Sequence, residues 1–321
     1  MALAERHRAG FLAAGVTDVT LLAGPPDGVP FGKRLRTFAE NRRPDGLIVL
    51  GSGAIPLATV ADRRAFVTAA ASTSRRAALA NNRYSADVVA IAGADTLSGL
   101  ADLASDNALP RWLAETAGYD VTDLRARWRL GVDIDGPLDL VLIGPRRWLP
   151  KAPDGVRDRV TDRLAGLRAV ARDPRAELIV AGRTSAAGLA WLEANVAARV
   201  RALVEARGFR TAAAGQRPPR SALGALIDRD GPGSLGTVLA DLGGAALVDS
   251  RVLLAHRLGA DEAHWPAAED RFASDLLLHE RIVDPWLGEL ARAAADAAIP
   301  IVLGGHTLVG PGLRLAIGRG R

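Results

Sequence analysis

Apolar runs of strand length alternate with segments of helical period through the first half of the chain. Leu3 to Ala14 reads as a helix ended by Gly15, Val19 to Leu22 as a strand, and Phe31 to Asn41 as a second helix. Leu47-Ile48-Val49-Leu50 is an unbroken apolar run, the pattern of a strand buried on both faces in a parallel sheet. Thr59 to Ala70 is predicted helical, with Thr59 as N-cap and Asp62 three residues on. Asp87 to Ile91 follows as a strand. Leu97 to Ala104 and Ala108 to Ala117 follow as helices, the second capped by Asn107, and Asp139 to Ile143 as a closing strand. The alternation predicts an α/β fold, a three-layer α/β/α arrangement around a mostly parallel sheet.

The second half is also mixed α/β. Leu178 to Ala181, Ile301 to Leu303 and Ala245 to Ala255 read as extended, and a long helix is predicted from Ala186 to Arg207, ended by Gly208. Gly144 to Pro153 holds three prolines that neither a helix nor a central strand tolerates, so a domain boundary is expected there: residues 1–147 as one α/β domain and 148–321 as a second region. Gly215 to Arg220, with Pro218-Pro219, is a further loop.

Composition narrows the chemistry. The chain has no cysteine, which excludes disulfides, thiolate nucleophiles and Cys-based metal sites. A net charge of +5 rests almost wholly on arginine, interspersed with acids as in Arg157-Asp158-Arg159, and aromatics are only 4%. No basic stripe interleaved with aromatics appears, so nucleic acid is not expected as a partner. No apolar stretch approaches the roughly 18 residues of a membrane span. Residues 1–10 lack the apolar stretch of a secretory signal, and a cytoplasmic location is expected.

Two segments carry a resemblance. Leu50-Gly51-Ser52-Gly53-Ala54-Ile55-Pro56-Leu57 follows the strand at 47–50 and is preceded by a helix bearing Lys33 and Arg34; Gly131-Val132-Asp133-Ile134-Asp135-Gly136-Pro137-Leu138-Asp139-Leu140 comes later. Together they resemble the nucleotide-diphospho-sugar transferase superfamily over about residues 1–145, closest to the molybdenum-cofactor and phospholactate guanylyltransferases and a related glycosyltransferase-like group. The resemblance implies a nucleotidyltransferase-like domain acting with Mg²⁺ on a phosphorylated small molecule, with a nucleotide or sugar nucleotide as ligand. A divalent ion neutralises the phosphates of such a substrate. Asp133 and Asp135 are then the candidate catalytic and metal-holding residues. Lys33, Arg34, Ser52, Gly53, Asn81, Asn82 and Arg83 are the candidate substrate-binding residues.

The sequence departs from the family pattern in two ways. Gly53 stands where the family's metal aspartate is expected, and the first strand with its phosphate-gripping loop is missing ahead of the first helix. A catalytically degenerate nucleotide- or protein-binding member of the same fold is therefore an alternative. Asp133 or Asp135 could equally cap a helix beginning at Pro137, and Asn81-Asn82-Arg83 could be a polar turn. A permuted order, with the strand at 299–303 and Gly304-Gly305 supplying the missing central strand, is a further expectation.

A third reading puts the activity in the second half. Arg183-Thr184-Ser185 runs from a strand into a helix, where a phosphate or an ordinary N-cap fits. His256, His264, Glu269, Asp270, Asp275 and His279 are polar candidates without metal-motif spacing, Glu269-Asp270-Arg271 reading as a surface turn. Asp249, Arg251, His256 and His306 are the residues to watch if this half is the active one.

Overall fold

A computed structural model describes residues 2–24, 27–74, 76–148, 154–206 and 218–318. The Pro-rich stretch past 148, the end of the helix predicted to Arg207 with its Gly208 stop, and 215–217 of the second loop lie outside the described residues. The chain is α/β and divides between Ile134 and Asp135 into two units. The division falls ahead of the proline-rich segment, because residues 137–143 bury Leu138 and Leu142 in the core of the second unit.

The first unit runs α1 (Ala2–Leu12), α2 (Phe31–Arg42), β1 (Gly46–Leu50), α3 (Val60–Ala70), β2 (Ala77–Ala80), β3 (Val88–Ala92), α4 (Leu109–Glu115) and β4 (Asp120–Asp123). Its sheet has the order β1-β3-β2-β4. β3 is antiparallel to both neighbours, pairing Ile48 with Ala90 and Leu79 with Ala90, while β2 and β4 are parallel. Because β3 is central and buried throughout, its alternate residues face opposite ways. Val89 and Ile91 pack with Leu35, Leu109 and Leu113, and Val88 and Ala90 with Phe11, Ile55 and Phe66.

The pairing differs from the parallel one that the alternation predicts, and the reason is local. Ala77-Ala78-Leu79-Ala80 has little strand propensity of its own, yet it forms β2. Only residues 81–87 separate it from β3, fewer than the dozen or so a parallel crossover needs, so β3 returns antiparallel. The run at 47–50 is an edge strand, half-buried along its length rather than fully enclosed. Residues 19–22 pair with nothing and lie largely exposed, with Leu22 at 65%. Residues 94–99 form a 3₁₀ turn ahead of α4, in place of the helix predicted from Leu97.

The second unit runs α5 (Pro137–Ile143), α6 (Asp154–Arg172), β5 (Glu177–Gly182), α7 (Ala186–Asn195), β6 (Arg199–Val204), α8 (Ala222–Asp230), α9 (Leu235–Leu242), β7 (Ala245–Asp249), α10 (Ser250–Leu258), α11 (Ala268–Asp275), α12 (Pro285–Ala295), β8 (Ile301–Gly304), α13 (His306–Val309) and α14 (Leu313–Ile317). Its sheet is wholly parallel, in the order β6-β5-β7-β8. Leu178, Val180, Leu247 and Val302 pack on α5, α6, α7, α13 and α14. Ile179, Val248, Ile301 and Leu303 pack on α8, α9, α10 and α12. The sheet is thus covered by helices on both faces, as parallel sheets require.

Several expectations are corrected here. Residues 139–143 belong to a helix: Pro137 takes its first position, and Asp139 accepts from the N–H of the Gly136 N-cap. The long helix predicted from Ala186 stops at Asn195, and Arg199–Val204 becomes an edge strand. The extended stretch at 245–255 is a strand only to Asp249, whose carboxylate then caps α10. The strand at 301–304 pairs with β7, so it fills a slot in the second unit's sheet and does not complete the first.

Candidate functional site

In the first unit, β1, β2 and β4 end on the same side of the sheet. The turns there carry Ser52 and Gly53 after β1, and Asn81, Asn82 and Arg83 after β2. Asn81 is buried and fully engaged within the fold. Its Nδ2 donates to Asp87 and to the Leu130 carbonyl, and its Oδ1 accepts from the Asp87 and Val88 N–H groups. It holds the β2–β3 turn and has no capacity left for a ligand. Asn82 closes the same turn by accepting from the Tyr84 N–H. Arg83 is exposed, and its guanidinium stacks with that of Arg125 on the ring of Tyr84. Ser52 is exposed. Lys33 and Arg34 lie exposed in the first turn of α2, where Arg34 donates to Asp27 at 2.6 Å.

The resemblance implies a metal ion held after β1, and the residues present do not fit one. A Cβ on Gly53 would stand 2.7 Å from the Ile134 carbonyl oxygen and 2.9 Å from Asp133 Oδ1. Segment 131–134 comes this close because Ala54 and Asp133 form an antiparallel bridge and the Ile134 N–H donates to the Gly53 carbonyl. Glycine at 53 is therefore a packing requirement. Gly53→Asp should destabilise the first unit by about 1–3 kcal/mol, the usual cost of overpacking; equilibrium urea unfolding measures it. Asp133 Oδ1 accepts from the next N–H, Ile134. Asp135 begins the second unit, where its N–H, with that of Gly136, donates to Asp139. Among the described residues no three histidine or carboxylate side chains are grouped to hold a metal.

The second unit assembles a denser constellation. The chain leaves β5 for β6 on one side and then crosses back to place β7 on the other. In a doubly wound sheet this reversal opens a crevice at the carboxyl ends of the two central strands, here β5 and β7. Gly182 ends β5 with φ +131°, and a Cβ there would lie 2.3 Å from that of Asp249, so the two strand ends come close only because residue 182 is glycine. Arg183 then reaches Asp249 bidentately, Nε at 2.5 Å and Nη2 at 3.1 Å. The same carboxylate accepts from the Arg251 N–H at the start of α10.

Arg251 points the other way and grips Asp275 with both terminal nitrogens, at 2.5 and 2.7 Å; its Nη1 also donates to Ser250 Oγ. Ser250 in turn donates to the Gly304 carbonyl at the end of β8. Burial pushes the Asp275 carboxyl above its ordinary range in spite of this arginine. Asp139 is also buried, and that burial, with the charges of Asp135 and Asp275 nearby, raises its pKa to about 7.

His306 follows Gly304-Gly305 directly after β8. Its Nδ1 lies 3.1 Å from the Arg183 carbonyl oxygen. A carbonyl only accepts, so Nδ1 carries the proton and the Nε2 of the neutral ring keeps its lone pair. The ring is open to solvent on one side, yet protein packed around it, together with the Arg183 charge, lowers its pKa. Arg183 uses Nε and Nη2 on Asp249, which leaves Nη1 as its remaining donor, and its charge acts on the imidazole. One hydroxyl of the same loop, Thr184 Oγ1, is buried without a partner. Ser185 is the N-cap of α7, accepting from Gly188.

The structure thus joins Arg183, Asp249, Arg251, Asp275 and His306, and adds Asp139, which the sequence reading placed in a strand. Its signal was position: three residues after Gly136 and two after Pro137, where a capping carboxylate belongs. The other candidates scatter. His256 Nδ1 accepts from the Ser221 N–H and its Nε2 meets Asp228 at 2.9 Å. Asp270 accepts from the Val283 and Asp284 N–H groups. His264 and His279 meet Asp261 and Glu280, at 3.8 and 4.0 Å. No helix among the described residues is long and apolar enough to cross a membrane. No protein-family model matches this chain, and neither a curated protein nor a solved structure matches it.

Proposed function

We propose that the chemistry of this chain resides in its second unit, as proton transfer to or from a hydroxyl-bearing small molecule in the crevice where β5, β7 and β8 end. The observation that carries this reading is His306, anchored through Nδ1–H to the Arg183 carbonyl with Nε2 free. Such an imidazole is a general base with a fixed tautomer. Arg183, whose Nη1 is not used on Asp249 and whose charge acts on the ring, would stabilise the oxygen losing its proton. Both arginines are already matched by Asp249 and Asp275, and Asp135 and Asp139 add further carboxylate, so the crevice suits a neutral, hydroxylated part of a ligand better than a phosphate.

The first unit supports a second reading, the degenerate one. Gly53 leaves no space for a metal aspartate, so a nucleotide or sugar nucleotide would be held there by Ser52, Asn82 and Arg83 without Mg²⁺.

The test is a thermal-shift screen of polyols, sugars, sugar phosphates, nucleotides and sugar nucleotides, with and without Mg²⁺. A ligand at about a hundred times its Kd adds about 2.7 kcal/mol of stability. A ligand that shifts the parent chain and neither His306→Asn nor Arg183→Gln supports the crevice reading. Equal shifts in all three chains reject it. A nucleotide shift that Arg83→Ala removes supports the second reading, and one that appears only with Mg²⁺ rejects its metal-free form.

A further inference from the structure

The geometry points to a second binding site in the second unit, a cavity of about 380 Å³ at the far end of α10, which we propose takes a small phosphate monoester bearing a free hydroxyl. It lies apart from the crevice: Asp249 caps α10 and Arg257 is in its last turn, about 12 Å along the axis at 1.5 Å per residue. The volume is in the range of small-molecule sites. Its walls include Arg220, Asp228, His256, Arg257 and Trp286.

The charges in these walls are unbalanced in a way that names the ligand. Arg257 lies over the face of Trp286, 5.2 Å from the ring centre, which holds its guanidinium in place. Arg220 stands just ahead of the N-cap of α8. Among the described residues neither guanidinium pairs with a carboxylate, whereas the neighbouring Arg229 is spent on Asp230. Two cations on one small cavity call for an anion with several oxygens, and guanidinium forks match a phosphate.

The single carboxylate in these walls, Asp228, pairs with neither arginine among the described residues and leaves one positive charge in excess. His256 Nδ1 accepts the Ser221 N–H, so the imidazole is neutral with its proton on Nε2, and that proton is donated to Asp228 Oδ2. One Asp228 oxygen is therefore oriented by the buried histidine, and the other, on a side chain 46% exposed, is left to accept from a ligand hydroxyl. The site reads as two guanidiniums for the phosphate and one oriented carboxylate for a hydroxyl of the same molecule. This assignment does not depend on the crevice chemistry.

The experiment uses glycerol 3-phosphate and inorganic phosphate as probes, titrated calorimetrically into the full chain at low ionic strength. Saturable binding of both at millimolar concentration or below is expected, with glycerol 3-phosphate the tighter. Arg220→Gln and Arg257→Gln should each weaken both probes about tenfold or more, as loss of one charge-assisted contact does. Asp228→Asn should erase the preference for glycerol 3-phosphate over phosphate, and His306→Asn should bind both as the parent does. These positions are at the surface, and unchanged melting temperatures show that the variants remain folded. Absence of saturable binding overturns the proposal, as does binding that survives the double replacement Arg220→Gln, Arg257→Gln. Glycerate binding as tightly as glycerol 3-phosphate overturns the phosphate assignment.

Discussion

Replacing Asp275 by alanine should destabilise the second unit by about 3–5 kcal/mol, the cost of removing one partner from a buried ion pair. Asp275 is 3% exposed, and it accepts both terminal nitrogens of Arg251, whose own side chain is 12% exposed. A guanidinium does not shed its proton, so the truncation leaves a cation in a low-dielectric interior with, among the described residues, Ser250 Oγ as its remaining hydrogen-bond acceptor. Removing both charges is a different perturbation. Arg251→Met with Asp275→Leu should recover most of the loss, because an apolar pair of similar volume has no desolvation cost. Urea unfolding of the two variants checks this. A loss under about 1 kcal/mol in Asp275→Ala would mean that Arg251 reaches water and that the pair is a surface one.

The second large effect is on pH dependence. The Asp139 carboxyl is raised from 3.8 to about 7, first by burial. Between these values the folded chain binds a proton that the unfolded chain has lost, so stability falls as pH rises from about 4 to about 7 and is level in this residue above that. At 1.4 kcal/mol per unit the upper bound is about 4 kcal/mol. Asp139→Asn keeps an oxygen for the Asp135 and Gly136 N–H groups and removes the charge. It should therefore be the more stable chain at about pH 8, and its stability should change less with pH between about 5 and 7. A residual slope of the same sign is expected from Asp275, whose pKa is also raised. His7 in the first unit acts oppositely. Burial lowers its pKa from 6.5 to about 4, so that unit loses stability as pH falls across this window. Unfolding followed as a function of pH in the parent and Asp139→Asn chains measures the difference, and parallel curves would reject the account.

Much of the fold was readable where local pattern and tertiary packing agree. The helix at 60–70 announces itself by Thr59 and Asp62, and both halves of that capping box form. Asp62 does more than cap, since it also binds Arg127 and Arg129 from far along the chain; these pairs and the capping hydrogen bonds outweigh burial and hold its carboxyl well below the usual range. The strands at 88–92, 177–182 and 301–304 are apolar because helices cover them on both faces. What misled was neutral composition. Alanine-rich 77–80 has no period to read, and 199–204 carries arginines on an edge strand where four of the six residues are exposed. Leu21 and Leu22 look like a strand and have no ladder to join.

The sequence by itself determined the α/β class, the absence of thiol chemistry and the cap at Thr59, and offered one at Ser185, because each depends on residues within a few positions of one another. It also singled out Asp249, Arg251, His306 and His256, the last of which the fold sets apart beside Asp228. It could not say which of them meet. Arg183, Asp249, Asp275 and His306 come from four segments that are distant in sequence, and only the strand order β6-β5-β7-β8 brings β5, β7 and β8 to one edge. The proton on His306 Nδ1, the raised Asp139 and the closed space at Gly53 are likewise products of packing. The physical reason is range: capping and periodicity act over one or two turns of chain, whereas desolvation and ion pairing are set by whatever the whole fold places within a few ångströms.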